Sequence, residues 1–149
     1  MDDLDLKILR ILQIDCTETV SDIGKKVGLS SSPCWKRINK LIKDGVIIKQ
    51  AAILDQKQLG YNLVAFVSIK TGNHSEEWLK SFSEKLHAID QVTEFYRMAG
   101  DVDYMLKVIV KDIENYDIFY KELIEIEGLK EVTTRFSMEV IKSNTSIPI

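Results

Sequence analysis

The sequence predicts an α+β protein in two parts. Residues 1–60 read as a helix-turn-helix domain of winged-helix type with its connecting strand, and residues 61–149 as a ferredoxin-like β-α-β-β-α-β domain. Two observations on pattern and one on charge carry this. Apolar residues recur at helical spacing up to Gly45, and at alternate positions in several runs after Gly60. Charge divides at the same place: residues 1–60 hold 10 Lys and Arg against 8 Asp and Glu, and residues 61–149 hold 10 against 15. A polyanion responds to the field within about 10 Å at ordinary salt, not to the total charge. The basic front half and the acidic back half therefore suit different partners.

With 149 residues, 45% of them hydrophobic, and a net charge of −3, the chain can bury packed cores and is not disordered. No uncharged apolar run approaches the roughly 18 residues of a membrane span. The acidic opening Met1-Asp2-Asp3-Leu4-Asp5 is unlike a secretory signal. Cys16 and Cys34 share no metal-site spacing, so reduced thiols in the cytoplasm are expected, with no membrane partner.

Leu4, Ile8, Leu9, Ile11 and Leu12 predict a first helix over residues 4–13. Thr19 or Ser21 caps a second that buries Val20, Ile23 and Val27, and Gly28 fits the left-handed position that ends it. Ser30-Ser31-Ser32 offers capping hydroxyls to a third helix, with Pro33 tolerated in its first turn. Cys34, Trp35, Ile38, Leu41 and Ile42 make its apolar stripe. Ser32, Lys36, Asn39, Lys40 and Lys43 lie opposite, with Arg37 at the margin. Gly45 stops this helix, and residues 46–54 read as an extended strand.

A short helix, a Gly-containing turn and a basic-faced helix form the arrangement that fits its last helix into a DNA major groove. Lys36, Arg37, Lys40 and Lys43 supply attraction to phosphates, while Ser30, Ser31, Ser32 and Asn39 can bond to bases and backbone. A solvated lysine face on an ordinary amphipathic helix is the plain alternative. The order of Gly28, serine cap and basic face favours double-stranded DNA as the partner.

After Gly60, Val64, Phe66 and Ser68 alternate with Ala65, Val67 and Ile69 in a first strand. Ser75 followed by Glu76-Glu77 opens a helix that turns Trp78, Leu79, Phe82 and Leu86 inward. Residues 92–98 and 104–110 are strands, Asp112 caps a helix carrying Ile113, Tyr116, Tyr120 and Leu123, and residues 132–140 alternate in a last strand. Met105 and Ile109 oppose Leu106, Val108 and Val110 across one strand, so the sheet is apolar on both faces while two helices cover one. A second copy presenting the same face supplies the other cover, which predicts a homodimer.

Leu4-Asp5-Leu6-Lys7-Ile8-Leu9, Val27-Gly28-Leu29-Ser30, Pro33-Cys34-Trp35-Lys36-Arg37-Ile38, Leu41-Ile42-Lys43-Asp44-Gly45-Val46-Ile47, Leu59-Gly60-Tyr61 and Ala99-Gly100-Asp101-Val102-Asp103-Tyr104 follow one another in order. Together they resemble the Lrp/AsnC family of bacterial and archaeal transcription regulators over nearly the whole chain. The resemblance implies dimers that close into octamers, binding to pseudo-palindromic DNA at the nucleoid, and an amino acid or related small molecule as effector. It puts the effector site between ligand-binding domains near the glycine–aspartate hairpin, here Ala99, Gly100, Asp101, Asp103 and Tyr104. The chemistry agrees: Asp101 and Asp103 can accept from an α-ammonium, and N–H groups around Gly100 can hold an α-carboxylate. Thr133 and Thr134 would add hydroxyls. The same residues are equally those of an ordinary turn.

His74 and His87 lack companion metal ligands, Cys34 reads as a small apolar filler, and Trp35 and Tyr61 read as packing or hinge residues. No catalytic motif, cofactor site or metal site is present in the sequence. The expected function is a sequence-specific, effector-responsive regulator. The alternatives are a nucleoid-organising DNA-binding protein without effector and, less favoured, a sirohaem-decarboxylase-like enzyme. Such an enzyme would need a porphyrin-sized cleft, for which the back half offers only His74, His87, Arg97 and Arg135.

Overall fold

Asp2 and Asp5 start the first helix by capping each other: each carboxylate accepts the other's backbone N–H at 3.0 Å. In the computed structural model, which describes all 149 residues, helix α1 runs over Asp3–Leu12. Helix α2, Val20–Val27, begins at Thr19, whose hydroxyl accepts from Asp22 N at 3.2 Å, and ends at Gly28 with φ of 76°. Helix α3 spans Ser31–Lys43. Ile8, Ile23, Cys34, Ile38 and Leu41 form the core shared by the three. Gly24 makes the α2–α3 turn possible, because a Cβ there would stand 2.7 Å from Leu29 O.

The strand expected over residues 46–54 does not form a ladder. Val46 N and Ile47 N fold back onto Leu41 O at 2.9 and 3.2 Å, and the residues that follow have no strand partner within the chain. Ile48 and Ile53 are left exposed.

The second half begins with β1, Leu63–Thr71, followed by α4, Glu76–His87, β2, Val92–Arg97, β3, Tyr104–Val110, α5, Ile113–Ile124, and β4, Leu129–Phe136. The strands pair antiparallel in the order β2-β3-β1-β4, the β-α-β-β-α-β topology expected. Ser75 and Asp112 cap the two helices as predicted. Ala65, Val67, Ile69, Leu106, Val108 and Val110 meet Phe82, Leu86, Phe119 and Leu123 in the core. The other face carries Val64, Phe66 and Ser68 in register with Ile109, Lys107 and Met105. The last strand stops at Phe136 rather than continuing to Val140. Ser137 N still reaches Val64 O at 2.8 Å, but β1 begins at Leu63 and provides no further partner.

The chain divides into Met1–Ile53 with Lys142–Ile149, and Leu54–Ile141. The sequence boundary at 60/61 differs in two respects, one with a local cause and one with a long-range cause. Residues 55–61 close a turn of their own through Leu59 N to Asp55 O and Tyr61 N to Gln56 O, at 3.3 and 2.9 Å. The final segment bonds to α1: Gln13 exchanges two hydrogen bonds with the Ile147 backbone at 2.9 and 3.1 Å, and Arg10 Nε donates to Ile149 O at 2.7 Å.

Candidate nucleic-acid interface and effector hairpin

Helix α3 is amphipathic in a way that fixes which residues meet solvent. Cys34, Ile38 and Leu41 are buried, and burial pushes the Cys34 thiol above its ordinary pKa, consistent with an inert apolar filler. Ser31, Ser32, Lys36, Asn39, Lys40 and Lys43 are all exposed. Lys36 and Lys43 form no ion pair, and Lys40 has only Asp44 at 4.0 Å, so the outer face keeps its positive charge. Asn39 Nδ2 donates to Trp35 O at 2.9 Å, committing one amide hydrogen to its own helix. Ser30 occupies the N-cap position but its hydroxyl receives no backbone N–H; the helix starts instead from Cys34 N to Ser30 O at 3.2 Å.

Three side chains differ from expectation. Arg37, expected among the phosphate contacts, turns to α1: its Nη1 lies 2.8 Å from a carboxylate oxygen of each of Asp2 and Asp5. The backbone N–H of each partner, followed by the Arg37 guanidinium, holds the Asp2 and Asp5 carboxyls below their ordinary range. Trp35, expected in the buried stripe, is 56% exposed, and Ile42 is also largely exposed. Period alone puts both at the edge of the stripe, where neither α1 nor α2 covers them.

The glycine–aspartate hairpin joins β2 to β3. Met98 N donates to Asp103 O at 2.8 Å and Gly100 takes φ of 133°. Asp103 is engaged in the fold: Oδ2 accepts Thr71 N at 2.8 Å and its own N–H donates to Ile69 O at 2.9 Å. Ala99, Gly100 and Asp101 are exposed. Lys70 pairs with Glu131 at 2.9 Å across β1 and β4; that bond, then the charges of Asp101 and Asp103, raise the Lys70 pKa. Thr133 shares this outer face, with Oγ1 3.5 Å from Glu131 Oε1. The structure thus gathers Asp101, Asp103 and Thr133 around Lys70 and Glu131, with Gly100 exposed beside Asp101 in the hairpin. It separates Thr134 and Tyr104 from them. Thr134 bonds the Tyr116 hydroxyl beneath α5, and Tyr104 is buried against Phe82 and Phe95, with ring centres 5.4 and 5.6 Å apart. Lys70 and Glu131 were not foreseen, because their meeting depends on strand register.

An open cleft of about 310 Å³ lies at the other end of β3, lined by Tyr61, Asp90, Gln91, Ile109, Val110, Lys111 and Asn115, and includes no hairpin residue. No group of three His, Cys, Asp or Glu side chains comes together as a metal site. No helix is long and apolar enough to cross a membrane.

The profile of the AsnC-type helix-turn-helix domain matches residues 1–42, and that of the Lrp/AsnC ligand-binding domain matches residues 64–147. The chain belongs to the Lrp/AsnC family. The DNA-binding transcriptional activator DecR of Escherichia coli K12 is 44% identical, with 100% of this chain and 99% of that protein aligned. The glutamate uptake regulatory protein of Zymomonas mobilis is 42% identical over 100% of this chain and 91% of its own. An AsnC family regulator from Agrobacterium tumefaciens superposes with a TM-score of 0.95 at 53% identity, covering 99% of this chain and 97% of that one. A regulator from Neisseria meningitidis, solved as a complex with L-Met, gives 0.94 at 26% identity, covering 99% and 96%. This Lrp/AsnC chain is therefore a DNA-binding transcription regulator and not an enzyme.

Proposed function

We propose that this Lrp/AsnC regulator binds duplex DNA through Ser30, Ser31, Ser32, Lys36, Asn39, Lys40 and Lys43, and adjusts that binding to an amino acid or related metabolite. The observation that carries the reading is the division of α3: its apolar side locks into the core while three lysines remain outside. The effector would meet Asp101 through its α-ammonium and the backbone around Gly100 through its α-carboxylate. The L-Met complex of one relative and the glutamate uptake regulator among the others support an amino acid as the class. The protein works as a homodimer that assembles further to an octamer in the cytoplasm, at the nucleoid. Its paired α3 helices enter successive major grooves roughly 34 Å apart. A typical coupling of about 1–3 kcal/mol links effector to DNA.

The test titrates duplex DNA with wild type, the Lys36→Ala/Lys40→Ala variant and Asp101→Ala, with and without each amino acid. The lysine variant should bind all sequences more weakly, with the salt slope reduced by about two. Asp101→Ala should keep DNA binding and lose the amino-acid response. An unchanged affinity at low salt in the lysine variant would sink the DNA face, and a full response in Asp101→Ala would remove that residue from the effector site.

A further inference from the structure

The chain has two tryptophans, and the fold treats them oppositely. Trp78 stacks on Phe82 at 4.7 Å and donates its indole N–H to Glu127 O at 2.7 Å. Trp35 belongs to none of the aromatic pairs and is 56% exposed. An indole left in water forgoes the large apolar burial that makes tryptophan useful. Its position gives that exposure a direction. Trp35 follows Ser32 by three residues and precedes Asn39 by four, so the three share one helical row, and Lys36 adjoins it. Ser32 and Trp35 lie in the first half of α3, the part of such a helix that approaches base edges. Unpaired lysines on the same face suit a polyanion, not an apolar protein surface. Within the major groove, the apolar group that base edges present is the C5-methyl of thymine.

We infer that Trp35 reads sequence by laying its indole against a thymine methyl in the major groove, so that it sets specificity while the lysines set affinity. This rests on the DNA face proposed above and adds a residue and a base to it.

The test uses the full chain. Wild type selects preferred duplexes from a random-sequence library, and binding to the selected site and to an unrelated duplex is then measured for wild type, Trp35→Phe and Trp35→Ala. Melting curves confirm that each variant is folded. Trp35→Ala should bind the unrelated duplex with unchanged affinity and salt slope, while its preference for the selected site falls about fourfold for each thymine contacted. Trp35→Phe should retain part of the preference. Replacing the contacted thymine by deoxyuridine should weaken wild type about fourfold, the change expected for one buried methyl, and leave Trp35→Ala unaffected. An unaltered preference in Trp35→Ala overturns the inference, as does a deoxyuridine effect that persists in it. A fall in sedimentation mass in Trp35→Ala overturns it too, by making the indole a contact between copies of the chain. Wild type that binds no duplex at low salt overturns the DNA face itself, which is a separate result.

Discussion

Arg37 stands between two carboxylates that already cap their own helix, and the triple contact joins α3 to α1. Both carboxyls titrate below their ordinary value of 3.8, so folding is favoured wherever they are ionised. That contribution is present above the ordinary value and is lost as pH falls below it through the lower folded pKa values. Arg37→Ala should therefore lower the melting temperature at neutral pH and flatten its decline between about pH 5 and pH 2. The decline should shrink without vanishing, because the backbone N–H of the partner residue, the larger cause, remains. On DNA the expectation is the reverse of intuition about an arginine in a recognition helix. Arg37→Ala should leave the salt slope almost unchanged, whereas Lys36→Ala should reduce it by about one. Melting curves against pH and binding against salt check the two halves; a slope change in Arg37→Ala matching that of Lys36→Ala would return Arg37 to the phosphate contacts.

The α2–α3 turn uses two glycines for different reasons. Gly28 has φ of 76° and open space around it, so Gly28→Ala carries only the backbone cost of a left-handed residue, about 1–2 kcal/mol. Gly24→Ala puts a methyl 2.7 Å from Leu29 O, a backbone atom that cannot rotate away. Its expected cost is roughly 1–3 kcal/mol of overpacking, with α3 displaced against α2. Urea midpoints should fall for both, but duplex affinity should fall for Gly24→Ala alone among folded molecules; equal affinities would show the turn can absorb the methyl. Gly28 was legible in the sequence because it follows a periodic run. Gly24 was not, since its neighbour is a carbonyl that comes close only once the turn exists. The same distinction separates other elements. Period-two alternation made the β-α-β-β-α-β order readable, but the grouping of Tyr104, Thr133 and Thr134 in one effector site did not apply it. Alternation turns Tyr104 inward with Leu106 and Val108, and it points the adjacent Thr133 and Thr134 to opposite faces. Arg37 with Asp2, 35 residues apart, and Gln13 with Ile147, 134 apart, left no local trace.

The sheet is covered by α4 and α5 on one side only, and the other side is where self-association is expected. Phe66 lies at its centre, with Lys107 and Arg135 as its neighbours in register on β3 and β4. Lys107 is paired with Glu94 at 2.9 Å and Arg135 Nη1 donates to Ser68 Oγ at 3.1 Å. Lys107 beside Phe66 is thus charge-compensated while Arg135 is held by a neutral hydroxyl and keeps its charge, and with Met105, Tyr96 and Ile109 the face suits a second, identical face better than open water. Wild type is expected to sediment at twice 17.1 kDa or a higher multiple. Phe66→Asp sets a carboxylate where the two faces would meet, and it should bring the mass down towards 17.1 kDa without unfolding the chain, because Phe66 is not part of the buried core. Loss of the dimer should also weaken binding to a two-half-site duplex by about a hundredfold or more, since one α3 no longer holds the other near its groove. Binding to a single half-site should change little. A Phe66→Asp protein that keeps the wild-type mass would assign self-association elsewhere, with the unpaired segment around the 91% exposed Ile48 the place to test next.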